Sequence, residues 1–183
     1  MNSRTWRIAA LICLITLTWN LGCQTPYARH DPTGEFFPAV QGTSLEGETI
    51  SIPSAWAGQQ VLLLVGFEQN TQFDLDRWAL ALIQSGLRVR AVEIPTIRGL
   101  VPSLISDRID AGMRRGIPEE AWASVITVYR DADAIARFTG NTNPLPGRIL
   151  LIDAEGRVIF FHDRGFSTTA LSNLAEAGGL TLN

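Results

Sequence analysis

The stretch VLLLVGFEQNTQFDLDRW, residues 61–78, decides how the rest of the chain is read. Five consecutive apolar residues, Val61 to Val65, suit a strand covered on both faces, where alternation is not required. Gly66 and Phe67 lead into a polar turn, Glu68-Gln69-Asn70-Thr71-Gln72. Leu75, Trp78, Ala79 and Leu82 then recur at helical spacing and predict a helix over 74–85, stopped by Gly86. Redox proteins of this strand–turn–helix type carry a Cys-x-x-Cys pair in the turn. Here the turn has no cysteine.

Working outward, FFPAVQGTSLEGETISIP reads as a β-hairpin. Leu45-Glu46-Gly47-Glu48 is its turn, and Thr49 to Ile52 alternates with period two before Pro53. Leu87 to Ile94 reads as a strand ending at Pro95. Leu104, Ile105, Ile109 and Met113 lie three to four residues apart and predict one helix, ended by Gly116 and Pro118. Ser124 to Tyr129 reads as a strand and Asp133 to Phe138 as a short helix. Ile149–Ile152 and Val158–Phe161 pair across Asp153-Ala154-Glu155-Gly156, and a helix over 168–177 closes the chain. Pro144 and Pro146 precede the Ile149 strand where redoxins keep a cis-proline, and sequence alone assigns neither a cis bond. This element order is α/β with a mixed sheet. It is the thioredoxin-like arrangement: a three-layer fold with a mixed central sheet and an N-terminal β-hairpin.

The N-terminus gives a second strong signal. Arg4 and Arg7 precede an apolar stretch, Ile8 to Trp19, too short for a bilayer span of ~20 residues and suited to a signal-peptide core. It ends at Asn20-Leu21-Gly22-Cys23, which resembles a bacterial lipobox except that Leu21 stands one place later than usual. The expected organisation is a signal peptide over 1–22, a lipid on Cys23, a flexible tether over 23–35 and one domain over 36–183. Ordinary secretion and an uncleaved anchor are the alternatives. The expected location is the periplasm or cell envelope, on a membrane.

Composition narrows the function further. Of 183 residues, 46% are hydrophobic and 18% charged, as in a folded protein. All 15 basic residues are arginine, the net charge is −3, and no basic run exceeds Arg114-Arg115, which gives nucleic-acid binding little support. Removing residues 1–22 leaves 13 basic against 18 acidic residues. The only cysteines are Cys13 and Cys23. A processed, acylated chain therefore has no free thiol for disulfide exchange.

Several stretches, FPAVQGTSLEGETISIP, AGQQVLLLVGF, IDAGMRRGI, ITVYRDADAIARFTG and ILLIDAEGRVIFFHDRG, resemble the mitochondrial ATP-synthase assembly factor family of the thioredoxin-like superfamily and its bacterial relatives. The similarity runs from about Phe37 to the last helix. Ile109-Asp110-x-Gly-Met113-Arg114 and Thr127-x-Tyr129-x-Asp131 are its most specific pieces. The resemblance implies a chaperone-like role toward a membrane-embedded subunit, without redox chemistry. A mitochondrial setting differs from that of an exported lipoprotein, so the partner stays open.

Aligning Phe67 with the aromatic residue that ends the redoxin strand puts the vacant cysteine positions near Gln72 and Leu75. Neither side chain forms a thiolate. His30 and His162 are far apart in sequence, and His162 beside Asp163 on a strand would point to opposite faces, so no metal or other cofactor is expected. No G-x-S-x-G motif is present. Trp56 and Trp78 read as core aromatics. The polar group best placed for binding is Arg108, Asp110 and Arg114, with Arg98 and Arg115 nearby and Arg130-Asp131 after the next strand. Asp110 and Arg114 are spaced to pair on one helix face. Two readings stay open: a surface ion-pair network of little energetic value, or an arginine-lined groove beside the vacant turn for a peptide or anionic group. The expected function is a non-catalytic, membrane-tethered protein that binds or assists assembly of a membrane complex. A cysteine-independent enzyme and a purely structural envelope lipoprotein are the competing classes.

Overall fold

The computed structural model describes residues 26–182; the expected signal peptide and Cys23 lie outside the described residues. The hairpin forms as its pattern predicts, with β1 (Val40–Ser44) antiparallel to β2 (Thr49–Ile52) and Thr43 opposite Thr49. Gly47 takes φ 97° in the turn, a conformation that L side chains rarely adopt. All six residues of β3 (Val61–Gly66) are buried. After α1 (Gln72–Ser85), which Gly86 ends in the left-handed region, β4 (Arg90–Pro95) runs parallel to β3.

The next segment departs from the expected single helix. It forms α2 (Leu100–Leu104) and α3 (Ser106–Arg114), broken at Ile105. The predicted apolar face is not the buried one: Leu104 is 75% and Ile105 44% exposed, whereas Asp110 is 5% exposed. The helix turns a polar face inward because Tyr129 supplies Asp110 with a hydrogen bond.

Strand β5 is short (Ile126–Thr127), antiparallel to β1; on the other side Val125 bridges to Glu93 of β4 and Val128 to Thr96 just beyond it. Then follow α4 (Ala132–Thr139), β6 (Arg148–Ile152), β7 (Val158–His162) and α5 (Thr168–Gly178). The four-stranded sheet has the order β4-β3-β6-β7, with β6 antiparallel to both β3 and β7. Strand alternation sends Val61, Leu63 and Val65 to one face, where they meet Phe37, Val128 and Ile135. Leu62 and Leu64 go to the other, against Leu75, Trp78 and Leu82 of α1 and Leu174 of α5. The mixed sheet thus lies between two helices on one side and α4 with the hairpin on the other, the expected three layers. Trp56 and Trp78 are buried in this core as read. Neither Pro144 nor Pro146 is cis; the cis bond among the described residues is Ile52–Pro53.

Residues 26–35 of the stretch read as a tether lie along the domain as a strap. At one end the Gly34 N–H donates to the Val158 carbonyl and the Val158 N–H to that of Glu35, each at 2.8 Å. Midway, Arg29 pairs with Asp163 at 2.7 Å. At the other end, the Tyr27 N–H donates to Asn141 Oδ1 at 2.8 Å, while the Asn141 N–H donates to the Tyr27 carbonyl at 3.0 Å. Gly140 makes this passage possible. Its φ is 72°, and an added Cβ would stand 2.3 Å from the Ala28 carbonyl oxygen and 2.5 Å from Arg29 Cα. Gly140→Ala should therefore lift the strap, at roughly 1–3 kcal/mol. Trypsin should then cut after Arg29 faster than in wild type under native conditions; equal cleavage rates would show that the strap does not depend on this contact.

Candidate functional site

A cleft of about 450 Å³ opens beside the cysteine-free turn, lined by Pro26, Phe67, Glu68, Ile97, Arg98, Asn141, Thr142 and Pro144. Its walls are the segments leaving the carboxyl ends of the parallel strands β3 and β4, the loop between α4 and β6, and the start of the strap. This is where α/β sheets bring loops together to hold ligands.

The turn itself is occupied by hydrogen bonds. Glu68 and Thr71 form a reciprocal capping box. The buried Thr71 hydroxyl also donates to the Pro144 carbonyl at 3.1 Å, tying the turn to the α4–β6 loop. Asp74, in the first turn of α1, accepts from the Gly147 N–H at 2.9 Å with one carboxylate oxygen and from the Phe166 N–H at 2.7 Å with the other. Of the two vacant redox positions, Gln72 is exposed and donates to Asp76 at 2.8 Å. Leu75 is buried in the core, against Gly147.

Arg148 holds the far wall. It is 3% exposed, yet among the described residues it has no ion pair. Its Nη2 donates to the carbonyls of Gly140 at 2.9 Å and Asn143 at 2.8 Å, its Nη1 to Pro146 at 2.6 Å and its Nε again to Gly140 at 3.2 Å. The guanidinium also lies 5.3 Å from the centre of the Phe67 ring, within cation–π range. Burial pushes its pKa down, and the carbonyl dipoles offset part of the lost hydration. One side chain thus gathers the 140–147 loop and braces the Phe67 wall.

Arg98 closes the opposite rim. It donates to Asp133 at 2.6 Å and lies 5.0 Å from the Tyr27 ring centre, which Arg137 also approaches at 5.2 Å. The aromatic ring of the strap thus contacts two guanidinium groups.

None of Arg108, Asp110, Arg114, Arg130 and Asp131 lines this cleft. Asp110 accepts from the Tyr129 hydroxyl at 2.8 Å, and burial, followed by that contact, raises the Tyr129 pKa. Arg114 donates to the Leu45 carbonyl at 2.6 Å and stacks 5.8 Å from Trp122, so the expected Asp110–Arg114 pair does not form. Both prefer partners brought in by the hairpin and β5, which helical spacing cannot anticipate. Asp131 accepts from the Gln41 N–H at 2.8 Å, and Arg108 and Arg130 are exposed. His162 is half-buried, bonded to the Gly165 carbonyl at 2.7 Å and stacked beside Phe160. Among the described residues no three His, Cys, Asp or Glu side chains converge as a metal site. Asn141, which lines the cleft, and Tyr27, Asp74 and Arg148, which hold the loops around it, belong to no motif that the sequence displays. An arginine opening the apolar run RILLI was the one available cue.

No family model matches the chain, and no curated protein matches it in sequence. Solved structures do match. A SCO1/SenC family lipoprotein from Bacillus anthracis superposes with a TM-score of 0.55 at 13% identity, over 83% of this chain and 98% of that one. BsSco, a member of the Sco family of cytochrome c oxidase assembly proteins, gives 0.56 at 11% identity, over 82% and 95%. A thiol peroxidase from Chromobacterium violaceum gives 0.52 at 16%, over 86% and 94%. At such identities the likeness establishes the fold: the chain is thioredoxin-like.

Two variants probe the site's construction. Arg148→Met leaves the buried Gly140 carbonyl and the part-buried carbonyls of Asn143 and Pro146 without this donor and should cost about 3 kcal/mol in urea unfolding. Arg148→Lys should recover only part, because one ammonium cannot reproduce the planar fork; full stability in Arg148→Met would contradict the assignment. Glu93, whose carboxyl accepts from Gln72 at 3.5 Å, has its pKa raised, mainly by burial. The folded state holds that proton more tightly than the unfolded one, so its ionisation lowers stability as pH rises through the folded pKa. Glu93→Gln should raise the Tm at pH 7 and change it little at pH 4; an equal shift at both would refute this origin.

Proposed function

We propose that this protein is an exported, membrane-anchored and non-catalytic member of the thioredoxin-like fold, held by a lipid on Cys23, whose cleft grips a subunit of a membrane complex during assembly. One observation carries the reading: the cleft stands over the turn that redox proteins of this fold use, and that turn with the start of α1 holds hydrogen-bonded Glu68, Thr71 and Asp74 and no thiol. A surface kept open while the reactive atoms are absent is suited to contact. Phe67, Ile97 and Pro144 offer apolar area, and Glu68, Arg98 and Asn141 offer polar groups that fix orientation, the mixture that binding clefts use.

The setting draws support from two directions. The apolar leader and the Gly22-Cys23 junction suit a lipoprotein, and the neighbour from Bacillus anthracis is itself described as a lipoprotein. The resemblance to the ATP-synthase assembly factor family and the fold shared with a cytochrome c oxidase assembly protein both favour a membrane-complex subunit as the client.

A photo-crosslinking amino acid at position 68, in native membranes, tests this. We expect capture of a membrane-complex subunit from position 68 and not from position 155 at the far end of the sheet. Capture of no such subunit from position 68, or equal capture from both, would count against the reading.

A further inference from the structure

The strap follows a fixed path along the domain, from one end of the sheet to the other. It starts beside the β6–β7 turn, where Phe37 donates to the Gly156 carbonyl at 2.9 Å, and its bonds run towards the N-terminus to Tyr27 and Pro26 at the cleft. β6 runs from Arg148 at the cleft to Ile152, which pairs with Val61 at the start of β3, so that turn and the cleft lie at opposite ends of the sheet. Five residue steps along β3 separate these ends by ~17 Å.

Chain length then limits the anchor. Three residue steps separate Cys23 from Pro26, at most ~11 Å of extended chain. A lipid on Cys23 cannot reach the far end while the strap stays docked. The segments that continue from the cleft lining carry uncovered apolar residues. Leu145 follows Pro144 and is 49% exposed; α2 begins two residues after Arg98 and leads to Leu104, 75% exposed, and Ile105, 44% exposed.

Resting on the reading of Cys23 as lipid-bearing, we propose that the docked strap seats the cleft end against the phospholipid surface, with Leu104, Ile105 and Leu145 entering the headgroup–acyl boundary. The cleft then opens at the bilayer, where a client's membrane-emergent segment is first accessible. Tyr27, between Arg98 and Arg137, is the clasp: its ring and backbone contacts hold the last described turn of the strap, and without them the anchor would gain slack and the domain could rotate.

The processed full chain in phosphatidylcholine vesicles provides the test. Leu104→Cys, Leu145→Cys and Glu155→Cys are each labelled with a fluorophore, with no competing thiol once Cys23 is acylated, and quenched by headgroup-attached nitroxide lipid. Quenching at positions 104 and 145 should exceed that at 155 several-fold, and Tyr27→Ala should reduce the contrast. Equal quenching at all three, or more at 155, overturns the orientation; an unchanged contrast in Tyr27→Ala overturns the clasp. Fatty-acid labelling of wild type against Cys23→Ala separates the two readings. Without Cys23-dependent label the anchor fails and the orientation with it; with label but no contrast, only the orientation fails.

Discussion

A buried guanidinium organises the cleft end of this protein. Arg148 sits at the first residue of a central strand with no ion-pair partner among the described residues, and its charge is met by the carbonyls of Gly140, Asn143 and Pro146. Removing such a group from water is costly unless its donors are satisfied. The 140–147 loop therefore has to wrap the side chain. That wrapping places Gly140 where the strap can cross it, Pro144 where Thr71 can reach it, and Asn141 where Tyr27 bonds to it. Cleft wall and strap dock share one electrostatic origin.

Residues 26–182 contain no cysteine. In the described domain the turn after β3 is bolted to its surroundings by Thr71 and Asp74, both through backbone groups of neighbouring loops. Such bonds favour a rigid rim, whereas a reactive thiol needs partial exposure and a stabilised thiolate. A preorganised rim suits recognition, since little ordering is left to be done on binding.

Much of the scaffold was legible from pattern. Val61–Val65, the 45–48 and 153–156 turns and the Leu75/Trp78/Leu82 stripe each have one natural reading, and local preference agrees with the fold at all of them. The site was mostly illegible, because its builders look ordinary in isolation. Asp74 reads as an acid in a helix's first turn, where the dipole favours it anyway. Arg148 reads as a polar strand end. The Pro- and Gly-containing 26–35 segment has a linker's composition, and its docking rests on backbone hydrogen bonds and on one glycine more than 100 residues away. Spacing also misled at Asp110 and Arg114: four residues apart, each found a better partner outside the helix.

Under the proposed function this fold is used for contact and not for electron transfer. Reduction of insulin disulfides by the purified, processed protein, with dithiothreitol as electron source, tests it most directly. The account predicts a rate equal to that of dithiothreitol alone; turnover above that background, scaling with protein concentration, would contradict it.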